Sequence, residues 1–161
     1  MTKIPPGPPA GTNDDVADPE AVMRARLTAA DVTICPCEED HVAAITTIYA
    51  HHVLRGLASF EVEPPSEDDM RQRRLDIVSR NYPYLVAECA GEAVGYAYAS
   101  AYRLRPAYRH TAENSVYIRP AWSGRGIGRQ LISALLAECE ARGLRQIVAV
   151  IEPSVDSEPR S

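Results

Sequence analysis

Residues 111–151 read TAENSVYIRPAWSGRGIGRQLISALLAECEARGLRQIVAVI, and this stretch decides the fold. Residues 111–118 form a β-prone run, and residues 147–151 form a continuous apolar run typical of a strand buried on both faces. Between them, residues 129–142 repeat apolar side chains at helical spacing, and Gly143 supplies a C-terminal stop. The apolar helix positions are Leu131, Ile132, Leu135, Leu136 and Cys139. Strand, loop, helix and strand in this order predict a βαβ unit with a parallel strand pair and an α/β fold.

The loop between the first strand and the helix, SGRGIGR at residues 123–129, carries the chemistry. Three glycines at alternate positions let the backbone approach a ligand closely, and the following helix N-terminus adds unpaired N–H groups. Arg125 and Arg129 add positive charge, so the loop suits a phosphate group. The glycine spacing matches neither a Walker loop nor the dinucleotide fingerprint. The competing interpretation is a tight turn whose glycines only permit the helix to pack on the sheet.

Several motifs in order resemble those of the GCN5-related N-acetyltransferases (GNAT). The loop of that family, Arg/Gln-x-x-Gly-x-Gly/Ala, holds the pyrophosphate of acetyl-CoA. Gly126 and Gly128 match its two small positions, and Ser123 stands where Arg or Gln is usual. The stretches NYPYLVAE, GYAYAS, RPAYRHTAENSVYI and SGRGIGRQL are similar to phosphinothricin acetyltransferases and related amino-acid N-acyltransferases. The resemblance covers about residues 31–151 and implies a mixed central sheet flanked by helices.

The resemblance also implies acetyl-CoA as co-substrate and no metal. In that family the pantetheine arm enters between two splayed parallel strands, where strand backbone polarises the thioester carbonyl. The backbone expected to do this belongs to Val116, Tyr117 and Ile118. The residues expected at the pyrophosphate are Gly124, Arg125, Gly126, Ile127, Gly128 and Arg129.

Glu113 is the residue predicted to carry proton transfer. Attack on a thioester requires a neutral amine, whereas the amine of an amino acid is mostly protonated at neutral pH. A glutamate with an ordinary pKa of about 4.3 is a weak base, so its pKa must be raised or it must act through water. In the resembling enzymes the glutamate of the TAES/TVEH/TAEN motif is assigned as this base, and Glu113 matches it. The competing interpretation is a charged residue on an exposed strand face.

The acceptor is predicted to meet residues 102–110, YRLRPAYRH, which combine cations with aromatic rings. Arginine binds a carboxylate or phosphinate with a planar two-pronged fork, although a solvated loop would have a similar composition. The resemblance favours substrate contacts here and in the loop at residues 55–65. The candidate residues are Phe60, Glu61, Tyr102, Arg103, Arg109, His110 and Thr111.

Composition and charge exclude several classes of protein. The 161 residues suffice for one domain with a sizeable core. A formal net charge of -5 argues against non-specific binding to nucleic acid, and no apolar run approaches the span of a bilayer. The four cysteines lack the spacing of a metal site and fit the reduced thiols of a cytoplasmic protein. His51 and His52 point in different directions on a helix, which favours surface or capping roles.

Outside the βαβ unit, the spacing of apolar residues and the capping signals predict two helices and three strands. Ser66 with Asp69 resembles a capping box, and Ala90-Gly91-Glu92 resembles a hairpin turn. The predicted strands are residues 31–35, 84–89 and 93–101, and the predicted helices are residues 38–53 and 66–80.

Three segments are predicted along the chain. Residues 1–28 are rich in proline and acidic residues, so we expect a disordered tail. Residues 29–151 form the N-acetyltransferase domain, and residues 152–161 form a polar tail. The resembling enzymes continue here with a further helix and a terminal hairpin, which we therefore expect to be lacking. This would leave the edge of the last strand open, and a homodimer would cover it.

Two functions stay open on these grounds. The first is transfer of acetyl from acetyl-CoA to a small amino acid or an analogue resembling phosphinothricin or methionine sulfoximine. The intact loop and Glu113 favour it, with a small-molecule amine as partner and neither nucleic acid nor membrane. The alternative is a truncated, catalytically impaired member that only binds CoA or pairs with a partner chain.

Overall fold

A single mixed sheet organises the residues described by the computed structural model, which are 18–55 and 61–150. Its strands follow chain order, and each pairs antiparallel with the next except the last pair, which is parallel. The strands are β1 (Thr33–Pro36), β2 (Tyr84–Cys89), β3 (Glu92–Ala101), β4 (Thr111–Ile118) and β5 (Gln146–Ala149). The helices are α1 (Pro19–Arg26), α2 (Val42–Arg55), α3 (Glu67–Ser79) and α4 (Ile127–Ala141).

The predicted βαβ unit is confirmed as β4, α4 and β5, and the fold class is the predicted α/β arrangement of a mixed sheet flanked by helices. Gly143 ends α4 with a φ of +79°, and the Leu144 N–H donates to the Cys139 carbonyl oxygen at 3.0 Å. This is the Schellman pattern, in which glycine takes the left-handed conformation without strain. The predicted capping box is also present, because Ser66 and Asp69 exchange hydrogen bonds at the start of α3.

Two predictions for the ends of the domain differ from the structure. Residues 147–151 were expected to be covered on both faces, but Ile147 and Val148 of β5 are only half-buried; among the described residues β5 is an edge strand, as expected. Within the expected tail 1–28, Pro19–Arg26 forms α1, and the capping box of Thr28 starts a 3-10 turn. The residues that follow α1 contact the start of α4, because Arg125 Nη1 donates to the Leu27 carbonyl oxygen and Gln130 donates to the Ala29 carbonyl oxygen. Residues 1–17 and 151–161 lie outside the described residues.

The sheet separates two hydrophobic cores. One face packs against α4 through small residues such as Ala97, Ala99 and Ala112, which are fully buried. The other face packs against α2 and α3 and is built largely from tyrosine rings. Small side chains on the first face let α4 lie close to the strands.

Gly95 marks the closest approach between β3 and α4. A Cβ atom at this position would lie 2.7 Å from Ile118 Cδ1, 3.0 Å from the Tyr117 carbonyl oxygen and 3.3 Å from Leu131 Cδ1. The Tyr117 carbonyl oxygen belongs to the backbone of β4, and Leu131 lies on the buried side of α4. These two neighbours therefore have little room to move.

We therefore expect Gly95→Ala to lower the free energy of unfolding by about 1–3 kcal/mol, the usual cost of overpacking. The measurement is urea denaturation followed by circular dichroism. Gly128→Ala is the matched control, since a Cβ there meets no atom within 4 Å. Equal stability of the Gly95→Ala variant and the unsubstituted chain would show that the sheet and α4 yield more easily than the geometry indicates.

Candidate active site

The parallel pairing of β4 with β5 covers only half of β4. It runs from the Thr111–Gln146 pair to the Asn114–Ala149 pair. On its other edge β4 pairs with β3 from Ala112 to Ile118. Residues 115–118 therefore have no strand on their β5 side within the part of the chain that the structure describes.

Backbone groups of Val116 and Ile118 point into this opening. The Arg119 N–H donates to the Val94 carbonyl oxygen at 2.8 Å, which fixes the alternation along β4. Odd-numbered residues therefore direct their N–H and C=O groups at β3, and even-numbered residues direct theirs away from it. His52 of α2 reaches the opening, because its Nε2 lies 2.9 Å from the Ile118 carbonyl oxygen. A carbonyl oxygen only accepts, so Nε2 carries the proton and donates.

The glycine loop leads from β4 into the N-terminus of α4. Gly124 and Gly126 have φ angles of +76° and +83°, which other residues adopt only with strain. Gly126 is the N-cap residue of α4, and no side chain caps the helix. The first N–H groups of α4 therefore lack side-chain acceptors, and the positive end of the helix dipole adds to them. An anionic group fits this arrangement.

The two arginines of this loop differ in their surroundings. Arg125 lies 4.8 Å from the centre of the Trp122 ring, and its Nη1 donates to the Leu27 carbonyl oxygen at 2.9 Å. Gln130 joins the same segment, donating to the Ala29 carbonyl oxygen at 2.7 Å. Arg125 thus holds the chain before β1 against the loop, whereas Arg129 is exposed.

Glu113 lies on the face of the sheet that packs against α2 and α3. It is half-buried and stands directly opposite Ser100 of β3. Two residues further along β4, the Ser115 side chain hydrogen-bonds to the hydroxyls of Tyr98 and Tyr117. Burial raises the pKa of Tyr98, the Ser115 hydrogen bond lowers it, and the nearby charge of Glu113 raises it again. The carboxylate and the tyrosine hydroxyls therefore share one region.

A cavity of about 350 Å³ lies on this same face, beneath α3 and over β2 and β3. Five tyrosines form much of its wall, and Arg73, Asp76 and Arg80 of the α3 region line it as well. The tyrosines are Tyr49, Tyr82, Tyr84, Tyr96 and Tyr98. Tyr84, Tyr96 and Tyr98 are stacked, with neighbouring centroids 5.0–6.4 Å apart.

The predicted acceptor residues do not all meet at this cavity. Glu61 accepts a hydrogen bond from Arg73 Nη1 at 2.7 Å, which places it at the rim. Arg103 lies over the Tyr102 and Tyr108 rings, 5.2 Å and 5.6 Å from their centres, and Tyr102 directly follows the cavity residue Ala101. Phe60 lies outside the described residues.

The remaining three candidates bond to other parts of the structure. Arg109 donates to the Pro106 carbonyl oxygen at 3.3 Å, within its own loop. His110 Nδ1 donates to the Gly143 carbonyl oxygen at 3.2 Å, and Thr111 Oγ1 donates to Gln146 Oε1 at 3.2 Å. The His110 bond ties the residue before β4 to the end of α4, and the Thr111 bond ties the start of β4 to β5. Contact of these residues with an acceptor stays a prediction.

Sequence reasoning missed His52 and the tyrosine face. His52 was assigned a surface or capping role, but it is half-buried, with its ring 5.5 Å from that of Tyr117. The signal was present, because position 52 continues the apolar stripe of Ile45, Ile48 and Tyr49. Tyr84, Tyr96 and Tyr98 could likewise have been assigned to one sheet face from the period of two.

A second polar cluster, formed by Cys35, His41 and Glu88, has ligand atoms within 4.8 Å of one another. The Glu38 N–H donates to His41 Nδ1 at 2.8 Å, so Nδ1 is an acceptor and Nε2 carries the proton. That proton faces Glu88 Oε1 at 2.8 Å. The imidazole therefore offers no lone pair to an ion, and the cluster fits a hydrogen-bonded histidine rather than a metal site.

Comparison with known proteins adds a family and several relatives. The Acetyltransferase (GNAT) family matches residues 50–159. The phosphinothricin N-acetyltransferase of Alcaligenes faecalis is 42% identical over 147 residues, which are 91% of this chain and 75% of that protein. The L-methionine sulfoximine/L-methionine sulfone acetyltransferase of Salmonella typhimurium is 36% identical, over 75% of this chain and 71% of that protein.

A similar solved structure belongs to the same family as these relatives. A phosphinothricin acetyltransferase of the GNAT superfamily from Sinorhizobium meliloti, in complex with acetyl-CoA, superposes with a TM-score of 0.73 at 44% identity. The superposition covers 75% of this chain and 66% of that one, so this chain spans about two thirds of its length. Within residues 18–55 and 61–150, the helices are too short or too polar to cross a membrane.

We expect Gly126→Ala to weaken the binding of coenzyme A about tenfold or more. A left-handed conformation costs a residue with a Cβ about 1–2 kcal/mol, so the loop would relax and redirect the N–H groups at the start of α4. Gly143→Ala is the matched control, because its φ of +79° is similar but it caps the opposite end of α4. Calorimetric titration and thermal melting of both variants measure the two effects. Equal losses of affinity in both variants would contradict the role of the loop.

Proposed function

Because this chain belongs to the acetyltransferase (GNAT) family of acetyl-CoA-dependent N-acetyltransferases, we propose that it acetylates the amine of a small amino acid or analogue. The relatives act on phosphinothricin and on methionine sulfoximine or sulfone. We propose acceptors of the same kind for this chain. The observation that carries the proposal is the position of Glu113, on the strand whose pairing with β5 ends at the next residue.

The residues around the opening fit acetyl-CoA. The open edge of β4 offers the backbone N–H and C=O groups of Val116 and the N–H group of Ile118, which suit the amides of an extended pantetheine arm, while the Ile118 C=O already accepts from His52. The α4 N-terminus and the left-handed glycines before it offer N–H groups to a pyrophosphate. Acetyl-CoA supplies an acetyl group activated as a thioester.

Glu113 is placed to remove the proton that the attacking amine loses. An acceptor amine at this carboxylate, directly or through one water, would lie beside the free edge of β4. Ser115 hydrogen-bonds to the hydroxyls of Tyr98 and Tyr117 in the same region, and burial raises the pKa of both tyrosines, so their hydroxyls stay protonated at neutral pH. Arg103, exposed between two tyrosine rings, is the proposed partner of the acceptor carboxylate.

Glu113→Gln should lower kcat by about 10²-fold or more, because the amide keeps the shape of the side chain but accepts no proton at neutral pH. The affinity for acetyl-CoA, measured by calorimetry, should stay within about twofold of the unsubstituted chain. Glu140→Gln is the control, since Glu140 is exposed on α4. Unchanged turnover in Glu113→Gln would remove this residue from the proposed mechanism. If the unsubstituted chain itself binds CoA normally but shows no turnover, the CoA-binding alternative is favoured.

Arg103→Ala should raise KM for L-methionine sulfone about tenfold, the usual contribution of a charge-assisted hydrogen bond. The KM for the carboxamide of the same amino acid should change little, because the carboxamide lacks the negative charge. Arg105→Ala is the matched control in the same exposed loop. Steady-state kinetics with both acceptors provide the measurement. A similar loss for the acid and the amide would show that Arg103 does not bind the carboxylate.

A further inference from the structure

Residues 27–31, hereafter the N-terminal turn, lie against the glycine loop before β1 begins. Two hydrogen bonds join the turn to the loop and to α4, across 98 and 101 residues of sequence. Arg125 Nη1 donates to the Leu27 carbonyl oxygen at 2.9 Å, and Gln130 Nε2 donates to the Ala29 carbonyl oxygen at 2.7 Å. The two donors flank the N-cap residue of α4 in sequence. The backbone on both sides of that residue is therefore tied to one turn.

The N-terminal turn is held in shape by its own capping box. The Thr28 N–H and hydroxyl both donate to Asp31 Oδ2, at 2.7 Å and 3.1 Å, and the Ala30 N–H donates to Thr28 Oγ1 at 3.3 Å. Such reciprocal bonds satisfy the backbone donors at the start of a helical turn. The Leu27 side chain packs against the hydrophobic core on the α4 face of the sheet. The turn is thus fixed to the domain by groups outside the glycine loop, and it can support that loop.

The glycine loop needs a support of this kind. Gly124 and Gly126 have positive φ angles, and glycine loses more conformational freedom on ordering than any other residue. A loop that becomes ordered only when a ligand binds loses that free energy from its affinity, whereas a loop ordered beforehand does not. The turn packs directly beside the loop, because a Cβ atom at Gly126 would lie 3.8 Å from the Cβ atom of Ala29.

The two side chains that bond to the turn are directed into the protein. Gln130 is half-buried, its amide nitrogen donates to the turn, and its amide oxygen is buried. Arg125 is also half-buried, and its guanidinium lies 4.8 Å from the centre of the buried Trp122 ring. Arg129, in contrast, is exposed and can offer its charge to an anionic ligand. Gln130 in particular influences a bound coenzyme only through the backbone that it holds.

The charges beneath the loop allow support to be distinguished from electrostatic attraction. Burial raises the pKa of the Cys89 thiol, the negative charge of Asp31 raises it further, and the positive charge of Arg125 lowers it. Both charges therefore lie near the same thiol, and Asp31 belongs to the turn that packs beside the loop. A negative charge at this place repels an anionic coenzyme. Asp31 can therefore favour coenzyme binding only by holding the turn.

We propose that the N-terminal turn preorganises the glycine loop for coenzyme A, and that Arg125 and Gln130 are positioning residues that hold the loop through this turn. Thr28 and Asp31 contribute by keeping the turn closed, although neither needs to contact the coenzyme. A segment before the first strand thereby sets the affinity of a site that is built from β4 and α4. This inference rests on the proposed function, because it concerns the coenzyme of that reaction.

Gln130→Met tests the support without changing any charge. Calorimetric titration of CoA should show a Kd raised about fivefold, the usual contribution of one hydrogen bond. The KM for acetyl-CoA should rise in parallel, whereas kcat at saturating acetyl-CoA should stay within about twofold, because the bound coenzyme itself orders the loop. Gln72→Met is the matched control, since Gln72 is exposed on α3 and donates within its own helix. Equal affinity of the two variants, or a fall in kcat with an unchanged Kd, would overturn the proposal.

Two substitutions of Asp31 provide a second test, in which support and electrostatics predict opposite changes. Asp31→Ala removes the negative charge and the cap together, whereas Asp31→Asn removes the charge but keeps an oxygen that can accept from the Thr28 N–H. The Kd for CoA should rise about fivefold in Asp31→Ala, the usual cost of a lost cap, and should stay within about twofold in Asp31→Asn. Tighter binding in Asp31→Ala, or equal affinity of the two variants, would show that the turn does not support the loop.

The binding of CoA separates this inference from the proposed function, because calorimetric titration requires no turnover. If CoA binds and no acceptor is acetylated, but Gln130→Met and Asp31→Ala weaken the binding, the role of the turn stands and the transfer activity falls. If acetylation proceeds and neither substitution raises the Kd for CoA or the KM for acetyl-CoA, the transfer activity stands and the role of the turn falls. Absence of both CoA binding and turnover in the unsubstituted chain overturns both.

Discussion

The site depends on the point where β4 and β5 stop pairing. A parallel strand pair normally satisfies the backbone groups on both strands, and here the ladder ends at Asn114 although β4 continues to Ile118. Because β3 holds the other edge of β4 in register to its end, the groups of Val116 and the N–H of Ile118, which have no strand partner among the described residues, are fixed in direction. An extended amide chain can therefore pair with them as a further strand would. The glycine loop then turns the chain so that α4 starts with uncapped N–H groups.

The two faces of the sheet have different roles: one packs against α4, and the other carries the polar groups of the candidate site. On the α4 face, Gly95 and small alanines bring helix and strands together, and substitution there is limited by packing. On the opposite face, tyrosine rings supply equivalent apolar area but carry a hydroxyl each. Those hydroxyls need partners when they are buried, and only some of them are satisfied within the fold. The buried Tyr96 hydroxyl, for example, has no hydrogen-bond partner among the described residues.

The features that sequence could predict are those set by neighbours along the chain. The Ser66–Asp69 capping box, the Gly143 stop and the order of β4, α4 and β5 depend on spacings of a few residues, and the structure has all three. The bond from His52 to Ile118 joins residues 66 positions apart, and the bond from Arg125 to Leu27 joins residues 98 positions apart. No local pattern specifies such contacts. For the same reason the cavity beneath α3 was not anticipated.

The tyrosine face also limits which groups can govern the response of the site to pH. Burial raises the pKa values of Tyr84, Tyr96, Tyr98 and Tyr117, so these hydroxyls remain neutral donors throughout the neutral pH range. A tyrosinate beside Glu113 would repel the carboxylate and compete for the acceptor amine. Because the rings stay protonated, the charge of this region between about pH 5 and pH 9 is set by carboxylates, arginines, histidine and the acceptor itself. A face of neutral hydroxyls thus leaves the charge of the base beside it unaltered.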